Sequence, residues 1–404
     1  MVTTRSAVLR SSLAAIAAMP GSASARLDSQ CVNWGIIGLG DVTSVKSGPP
    51  FWKCTGSRLV AVMRRTPGAA KAWAKENVPG DTCRGYEDID EFLAHPGLDA
   101  VYVATPPGGH VETALRVAAA GKHCYIEKPV GRSARETAAI VEAFASKNLQ
   151  LFTAYVSRAY ERTAAVRDLL ADGTIGDHVT EVTYVLRGSG GARGMDAGEA
   201  LPWRLDARQS GGGLVMDVGC HVLDRIDYLL GPLVAVSGGA QNRRSPGQAV
   251  EDYVEVRATV GSAEWAAVRS EGARVTCSWE FAPEDPTAAP IDALVLRGPR
   301  GSLRMAAMSP SAPVEVYDAD GTLRRTLTFE QPEHTAQRLI QSATDELLGL
   351  ENQPPGAPRC PSRGDNALRT SRVLDAALGA YYGGREDEYW LRPDTWPGRK
   401  ATSS

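Results

Sequence analysis

The sequence predicts an α/β chain in two parts: a doubly wound parallel sheet, then an α+β region built on a large, mostly antiparallel open sheet. Three observations carry this. Apolar strand-length runs alternate with helix-length segments from Val32 to about residue 155. The first run ends in a glycine-rich turn, Gly38-Leu39-Gly40. Beyond residue 155 strand-like runs dominate, with few helices among them. Repeated strand, helix, strand crossovers imply parallel pairing.

The strands expected in the first part are Trp34–Gly38, Arg58–Met63, Asp99–Ala104, His123–Lys128 and Gln150–Ala154. Between them, His110–Ala120 places Val111, Leu115 and Ala118 on one helical face, and Ser133–Lys147 does the same with Ala138, Val141 and Ala145. In the second part, Arg158–Asp172 and Leu214–Leu230 read as helices. Val234–Ala240, Tyr253–Val260, Trp265–Ser270, Arg274–Phe281, Ala293–Arg297, Leu303–Met308 and Val314–Tyr317 read as strands. Helices near Thr335–Leu350 and Gly364–Tyr382 precede a tail rich in Trp and Pro. The expected division is a start at 1–30, a dinucleotide-binding domain at 31–155, a substrate and oligomerisation domain at 156–385, and a tail at 386–404.

Composition bounds the function. The 404 residues suffice for two to four domains, and 43% apolar with 23% charged residues excludes a disordered or fibrous chain. Forty-four Lys and Arg against 47 Asp and Glu leave a net charge of −3, so no nucleic-acid partner is expected. Seven Cys, an odd number without a C-x-x-C pair, fit a reducing compartment. No run of 18 or more apolar residues occurs, so a soluble protein with no membrane partner is expected. Arg5, Arg10 and Arg26, with no acid before Asp28, give residues 1–30 the composition of a plastid or mitochondrial transit peptide. A secretory signal, from Leu13–Met19 and Ala23-Ser24-Ala25, and a plain unstructured start are the rivals. The expected location is cytoplasmic or organellar.

The chemistry-bearing residues gather at strand ends. In Trp34–Thr43 a strand meets a glycine turn where missing Cβ atoms let backbone N–H groups approach a pyrophosphate, so Gly38, Gly40, Asp41 and Val42 are expected at a dinucleotide. Thr43 replaces the third glycine of G-x-G-x-x-G, and Gly48-Pro49-Pro50 interrupts the helix that should follow. The second strand normally ends near a carboxylate for the adenosine ribose; here Arg64 and Arg65 stand instead. Two guanidiniums suit a 2′-phosphate, so NADP is favoured over NAD, although a solvated Arg pair is the plainer alternative in so Arg-rich a chain. Thr105, Pro106, Pro107 and His110 close the Asp99–Ala104 strand, and Glu127 with Lys128 closes the next, all at the carboxyl edge where such sheets bind ligands.

Taken together, these features resemble the glucose-fructose oxidoreductase / inositol dehydrogenase (Gfo/Idh/MocA) family, through Glu127-Lys128-Pro129 and the run Gly211-Gly212-Gly213-Leu214-Val215-Met216-Asp217-Val218-Gly219-Cys220-His221. The resemblance spans about residues 32–385 and implies a Rossmann domain followed by an α+β domain. On the Leu214–Leu230 helix, Asp217, His221, Asp224 and Tyr228 share a stripe opposite Val215, Val218, Val222, Ile226 and Leu229. Read alone, this is either a solvated Asp–His face or a catalytic one. The resemblance implies the latter: His221 moves the hydroxyl proton, Asp217 orients or charge-balances it, and Lys128 stabilises the developing alkoxide and positions the substrate oxygen. It also implies Trp203 and Arg204 near the cofactor or substrate, Tyr155 as a secondary proton donor, and a sugar-dehydrogenase likeness at His334.

The function expected is an NADP-dependent oxidoreductase transferring a hydride between nicotinamide and a hydroxyl or carbonyl carbon of a sugar, polyol or related diol. A non-catalytic dinucleotide-binding regulator and an NAD-retaining glycosidase or lyase are the alternatives. No metal is expected, since His95, His123 and His178 lack companions at ligand spacing. The open sheet suggests a homodimer or homotetramer, and Gly188–Ala200 is expected to help set the substrate.

Overall fold

The computed structural model describes residues 30–188, 202–245, 247–285, 287–350 and 360–399. The readings of the first 29 residues and nearly all of the Gly188–Ala200 segment lie outside them. Six parallel strands form the first sheet: β1 (Val32–Ile37), β2 (Ser57–Met63), β3 (Arg84–Tyr86), β4 (Ala100–Val103), β5 (His123–Ile126) and β6 (Leu151–Thr153), in the order β3-β2-β1-β4-β5-β6. All four residues of β4 and of β5 are buried, as expected where helices cover both faces. Asp88 and Ser133 cap two of those helices, Ile89–Leu93 and Ala134–Ala145, each accepting backbone N–H bonds. The strand β3 is absent from the sequence expectation because it is three residues long and centred on Gly85. A Cβ there would lie 2.4 Å from the backbone N of Lys71, so the glycine admits the neighbouring helix rather than marking a strand.

The second sheet has eight strands: β7 (Glu181–Arg187), β8 (Leu233–Gln241), β9 (Tyr253–Val260), β10 (Arg274–Glu280), β11 (Ile291–Gly298), β12 (Gly301–Met305), β13 (Val314–Asp318) and β14 (Leu323–Leu327). Their order is β14-β13-β12-β11-β7-β10-β9-β8, and only the β7–β10 pair is parallel. Two elements were not expected: β7, which lines up Val182 and Tyr184 inward, and β14, an edge strand whose Leu-Arg-Arg-Thr-Leu sequence does not alternate. The expected strand Trp265–Ser270 does not form. Trp265 instead folds over the end of the Leu214–Leu230 helix, its indole N–H donating to the Asp227 carbonyl at 3.0 Å, and Arg269 makes one isolated bridge to His178.

The helix Gln337–Leu347 returns to the first sheet: Leu339, Ile340, Ala343 and Leu347 enter the core that holds Trp34, Phe51 and Tyr102. The expected division at 155/156 places this helix in the second part, whereas its apolar side chains pack into the core of the first sheet. The tail likewise belongs to the body, with Tyr389, Trp390 and Trp396 buried in the second core. Among the described residues, no helix is long and apolar enough to cross a membrane.

Candidate active site

A cleft of about 590 Å³ runs from the end of β1 along the carboxyl edge of the parallel sheet to the start of the Leu214–Leu230 helix. The chain enters it through Gly38, whose φ of +96° and close approach to Ala104 and Thr105 (2.9 Å from a Cβ) admit no other residue without strain. Gly40 differs: a Cβ built there meets no atom within 4 Å, so a side chain would project into free cleft volume. Thr43, fully buried, donates its hydroxyl to the Gly40 carbonyl at 2.7 Å and so braces the turn where a third glycine would stand. The helix after the turn is a single wide turn, Val42–Lys46, before the expected interruption and a second short helix, Pro50–Lys53.

Gly38, Gly40, Asp41, Val42, Arg64, Arg65, Thr105, Pro106, Pro107, Glu127, Lys128, Trp203, Arg204 and Asp217 all line this cleft. Arg64 also donates to the Leu39 carbonyl at 2.9 Å, which ties the end of β2 to the glycine turn. His110 departs from the expectation. It is fully buried behind the wall, its Nε2 2.7 Å from the Thr105 carbonyl and its Nδ1 3.1 Å from that of Val130. Burial lowers its proton affinity despite those carbonyls, so it bolts the Thr105–Pro107 turn in place and lines nothing.

The two halves of the chain meet at Asp217. Lys128 donates its ammonium to Asp217 Oδ1 and, at 3.0 Å, to the Asp217 carbonyl, while Arg204 Nε donates to Oδ2 at 2.7 Å. Burial alone would raise the Asp217 pKa, but Lys128 and Arg204 outweigh it and hold the carboxyl well below its ordinary range. Burial would likewise lower that of Lys128, and Asp217 reverses the effect, keeping the ammonium charged. One helical turn on, His221 is half-buried, packs edge-on to Tyr155 at 6.1 Å, and makes no hydrogen bond among the described residues. Burial, reinforced by Lys128, pushes its pKa well below 6.5, so the ring is neutral.

His221 is not among the residues that line the cleft, and Asp224 and Tyr228, which share its stripe, do not face it either. Asp224 is fully buried and takes two bonds from Arg158 at 2.8 Å, with Asn366 donating to it at 2.8 Å, while Tyr228 lies beneath the guanidiniums of Arg158 and Arg167. Other residues at the cleft went unnoticed in the sequence: Arg116, Thr113 and Gln209 line it, and Tyr102 donates to Glu127 Oε1 at 2.6 Å while sharing a 2.8 Å bond with Ser47. Thr113 and Arg116 stand three residues apart on one face of the helix His110–Ala119, a spacing the sequence carries; Tyr102, read as a core residue of its strand, gives no such cue.

A glycine turn at the edge of a six-stranded parallel sheet, beside an ammonium of that sheet paired with a carboxylate from a second sheet domain, defines a two-domain NAD(P)-dependent oxidoreductase. The chain belongs to the GFO/IDH/MocA family: residues 32–155 match its oxidoreductase model with an NAD-binding Rossmann fold, and residues 163–304 match its C-terminal domain. It is 28% identical over 349 residues to Oxidoreductase P35 of Formosa agariphila, covering 86% of this chain and 98% of that protein. It is also 28% identical over 206 residues to 1,5-anhydro-D-fructose reductase of Ensifer adhaerens, covering 49% of this chain and 56% of the relative. Among solved structures, the aldose-aldose oxidoreductase of Caulobacter crescentus, complexed with glycerol, superposes with a TM-score of 0.69 at 25% identity over 88% of this chain and 98% of its own.

Proposed function

We propose that this protein is an NADP(H)-dependent oxidoreductase that interconverts a hydroxyl and a carbonyl on a sugar, polyol or related diol. The observation that carries the reading is the Lys128–Asp217 pair, which joins the cleft wall of one half to the helix bearing His221 in the other. The cleft suits a dinucleotide on its own geometry: Gly40 leaves room for one, and Thr105 Oγ1 is buried at the wall without a hydrogen-bond partner. Arg64 and Arg65, with no carboxylate in their place, support NADP over NAD. The names borne by two relatives, an aldose-aldose oxidoreductase and a 1,5-anhydro-D-fructose reductase, support a carbohydrate substrate.

Residues 31–155 would hold the dinucleotide and 156–385 the substrate, with helix Gln337–Leu347 reaching back to brace the former. When bound, the nicotinamide accepts or donates the hydride. Lys128, held charged by Asp217, positions the substrate oxygen and offsets the negative charge that develops on it. His221, neutral and without a hydrogen bond among the described residues, takes the hydroxyl proton in the oxidative direction and returns it in the reductive one. Asp217 does not transfer protons, because its two oxygens are occupied by Lys128 and Arg204.

The test is a titration of NADPH and NADH by fluorescence, followed by turnover of an aldose, ketose and polyol panel by the wild type and Lys128→Met. NADPH binds more tightly than NADH, and the variant binds NADPH yet loses at least about 10²-fold in turnover, the scale of a removed electrostatic donor. Unchanged turnover in the variant removes Lys128 from the reaction. Activity with the wild type but no net NADPH consumption favours a hydride-recycling lyase or glycosidase, and cofactor binding without turnover of any compound favours a regulator.

A further inference from the structure

We infer that His334 is a positioning residue for the dinucleotide: from the second half of the chain, it clamps the wide turn Val42–Lys46 that follows the glycine loop. The inference rests on the reading of that loop as the NADP(H) site. The imidazole is only 9% exposed and sits between two partners, with Nδ1 2.9 Å from the Val45 carbonyl and Nε2 2.8 Å from Lys53 Nζ. A carbonyl only accepts and an ammonium only donates, so both bonds are made together by the tautomer with its N–H at Nδ1 and its lone pair at Nε2, where Glu333 Oε1 also lies 3.3 Å away. Glu333 takes a further bond from the same ammonium at 2.6 Å, so Lys53 is held in place to set that tautomer.

Val45 belongs to the turn whose first residue, Val42, lines the cleft. That turn is a weak element. Five residues long, it carries no side-chain cap, and beyond its own backbone bonds it is held by the Thr43 and Ser47 hydroxyls, the Trp73 indole N–H to Ser44 at 3.1 Å, and His334. The segment bearing His334 is by contrast firmly seated. Gln341 exchanges reciprocal bonds with the Thr55 backbone at 2.9 and 3.0 Å, and Leu339 and Ile340 are buried in the core of the first sheet. A rigid clamp on a soft loop lowers the ordering cost that dinucleotide binding must otherwise meet. It also gives the later half of the chain a hold on cofactor affinity at a distance from the reacting atoms.

Three variants of the full chain separate this role from simple structural support. His334→Ala removes both bonds, His334→Asn keeps a donor at the position of Nδ1, and His334→Gln keeps a polar group only at the position of Nε2. The expected result for His334→Ala is a rise of about five- to tenfold in the NADPH dissociation constant, the scale of one or two lost hydrogen bonds, with kcat at saturating NADPH within about twofold of wild type. His334→Asn restores affinity to within about twofold and His334→Gln does not. Lys53→Met weakens NADPH in the same direction, and adding it to His334→Ala changes nothing further, since both act through one contact. Unchanged NADPH affinity in His334→Ala overturns the inference, as does an equal loss in the Ala and Asn variants, or additive losses in the double variant. If the wild type itself fails to bind NADPH, the dinucleotide reading falls first and this inference with it.

Discussion

At the scale of single residues, the site depends on charge states that neighbours impose. Lys128 and Asp217 hold each other charged, whereas His221 is kept neutral by burial and by the same ammonium. The sign matters for pH dependence. A neutral imidazole is the competent form for alcohol oxidation, and its pKa is pushed below the ordinary 6.5, so kcat/KM for oxidation stays flat as pH falls through 6.5 and declines only below it. In His221→Asn that acid limb disappears and the remaining rate is lower by about 10²–10⁴-fold, the usual worth of a general base. A pH profile with its acid limb at or above 6.5, or an unaltered profile in the variant, removes His221 from the proton transfer. Which polar side chains reach the cleft was partly legible in sequence. Lys128 and Asp217 stand out because a strand end and a helix face place them, while His110, equally well placed by its turn, rotates inward and sets its two ring nitrogens against the Thr105 and Val130 carbonyls. A rotamer decides between those outcomes, and spacing carries no record of it.

At the scale of elements, the glycine turn separates two reasons for a missing side chain. Gly38 is required by backbone: its φ is +96° and a Cβ would press on the Ala104–Thr105 peptide at 2.9 Å. Gly38→Ala should therefore destabilise the protein by about 1–3 kcal/mol, read as a lower melting temperature without cofactor. Gly40 is not required by the backbone, since no protein atom lies within 4 Å of a Cβ built there, and under the proposed function the dinucleotide takes that space. Gly40→Val should leave that melting temperature within about 2 °C of wild type, a shift below that of 1 kcal/mol in a chain this size, yet abolish the stabilisation that NADPH gives. If both variants lose stability alike, the distinction is wrong. Elements with strong periodicity were readable to the residue, as with Leu214–Leu230 and Gly364–Tyr382, where one apolar stripe runs for four or five turns. Short or edge elements were not: β3 has three residues, β14 is exposed along most of its length, and the alternation of Trp265–Ser270 serves a turn that covers a helix end. Pattern reports burial on one side, and a capping loop meets that condition as well as a strand does.

At the scale of the whole molecule, the proposed reaction requires Lys128 and the Leu214–Leu230 helix to keep a fixed spacing, although 89 residues separate Lys128 from Asp217. The bracing comes from the end of the chain, in residues the sequence offered only as a tail. Arg385, 1% exposed, donates to the Gly211 carbonyl at 2.7 Å and to the Arg132 carbonyl at 2.6 Å, while its Nε pairs with Asp375 at 2.7 Å. Tyr389 repeats the pattern, its hydroxyl 2.5 Å from the Gly211 carbonyl and 3.0 Å from that of Arg132. Gly211, with φ +81°, lies so close to Arg132 that a Cβ would stand 2.7 Å from it, so the approach to the catalytic helix and the segment after Lys128-Pro129 are held together directly. Removing Arg385 leaves two buried carbonyls to share the single Tyr389 hydroxyl proton and Asp375 without its cationic partner. Arg385→Met should cost about 3–5 kcal/mol, as for other broken buried pairs. Because the clamp spans both sheets, the loss should act on the spacing before it acts on either half alone. The folded fraction at low temperature should largely retain NADPH binding, since the glycine turn, Arg64 and Arg65 all lie on the first sheet, while its turnover falls. An Arg385→Met protein whose turnover per folded molecule equals the wild type would show that the spacing is set elsewhere, with the Lys128–Asp217 bond itself the first place to look.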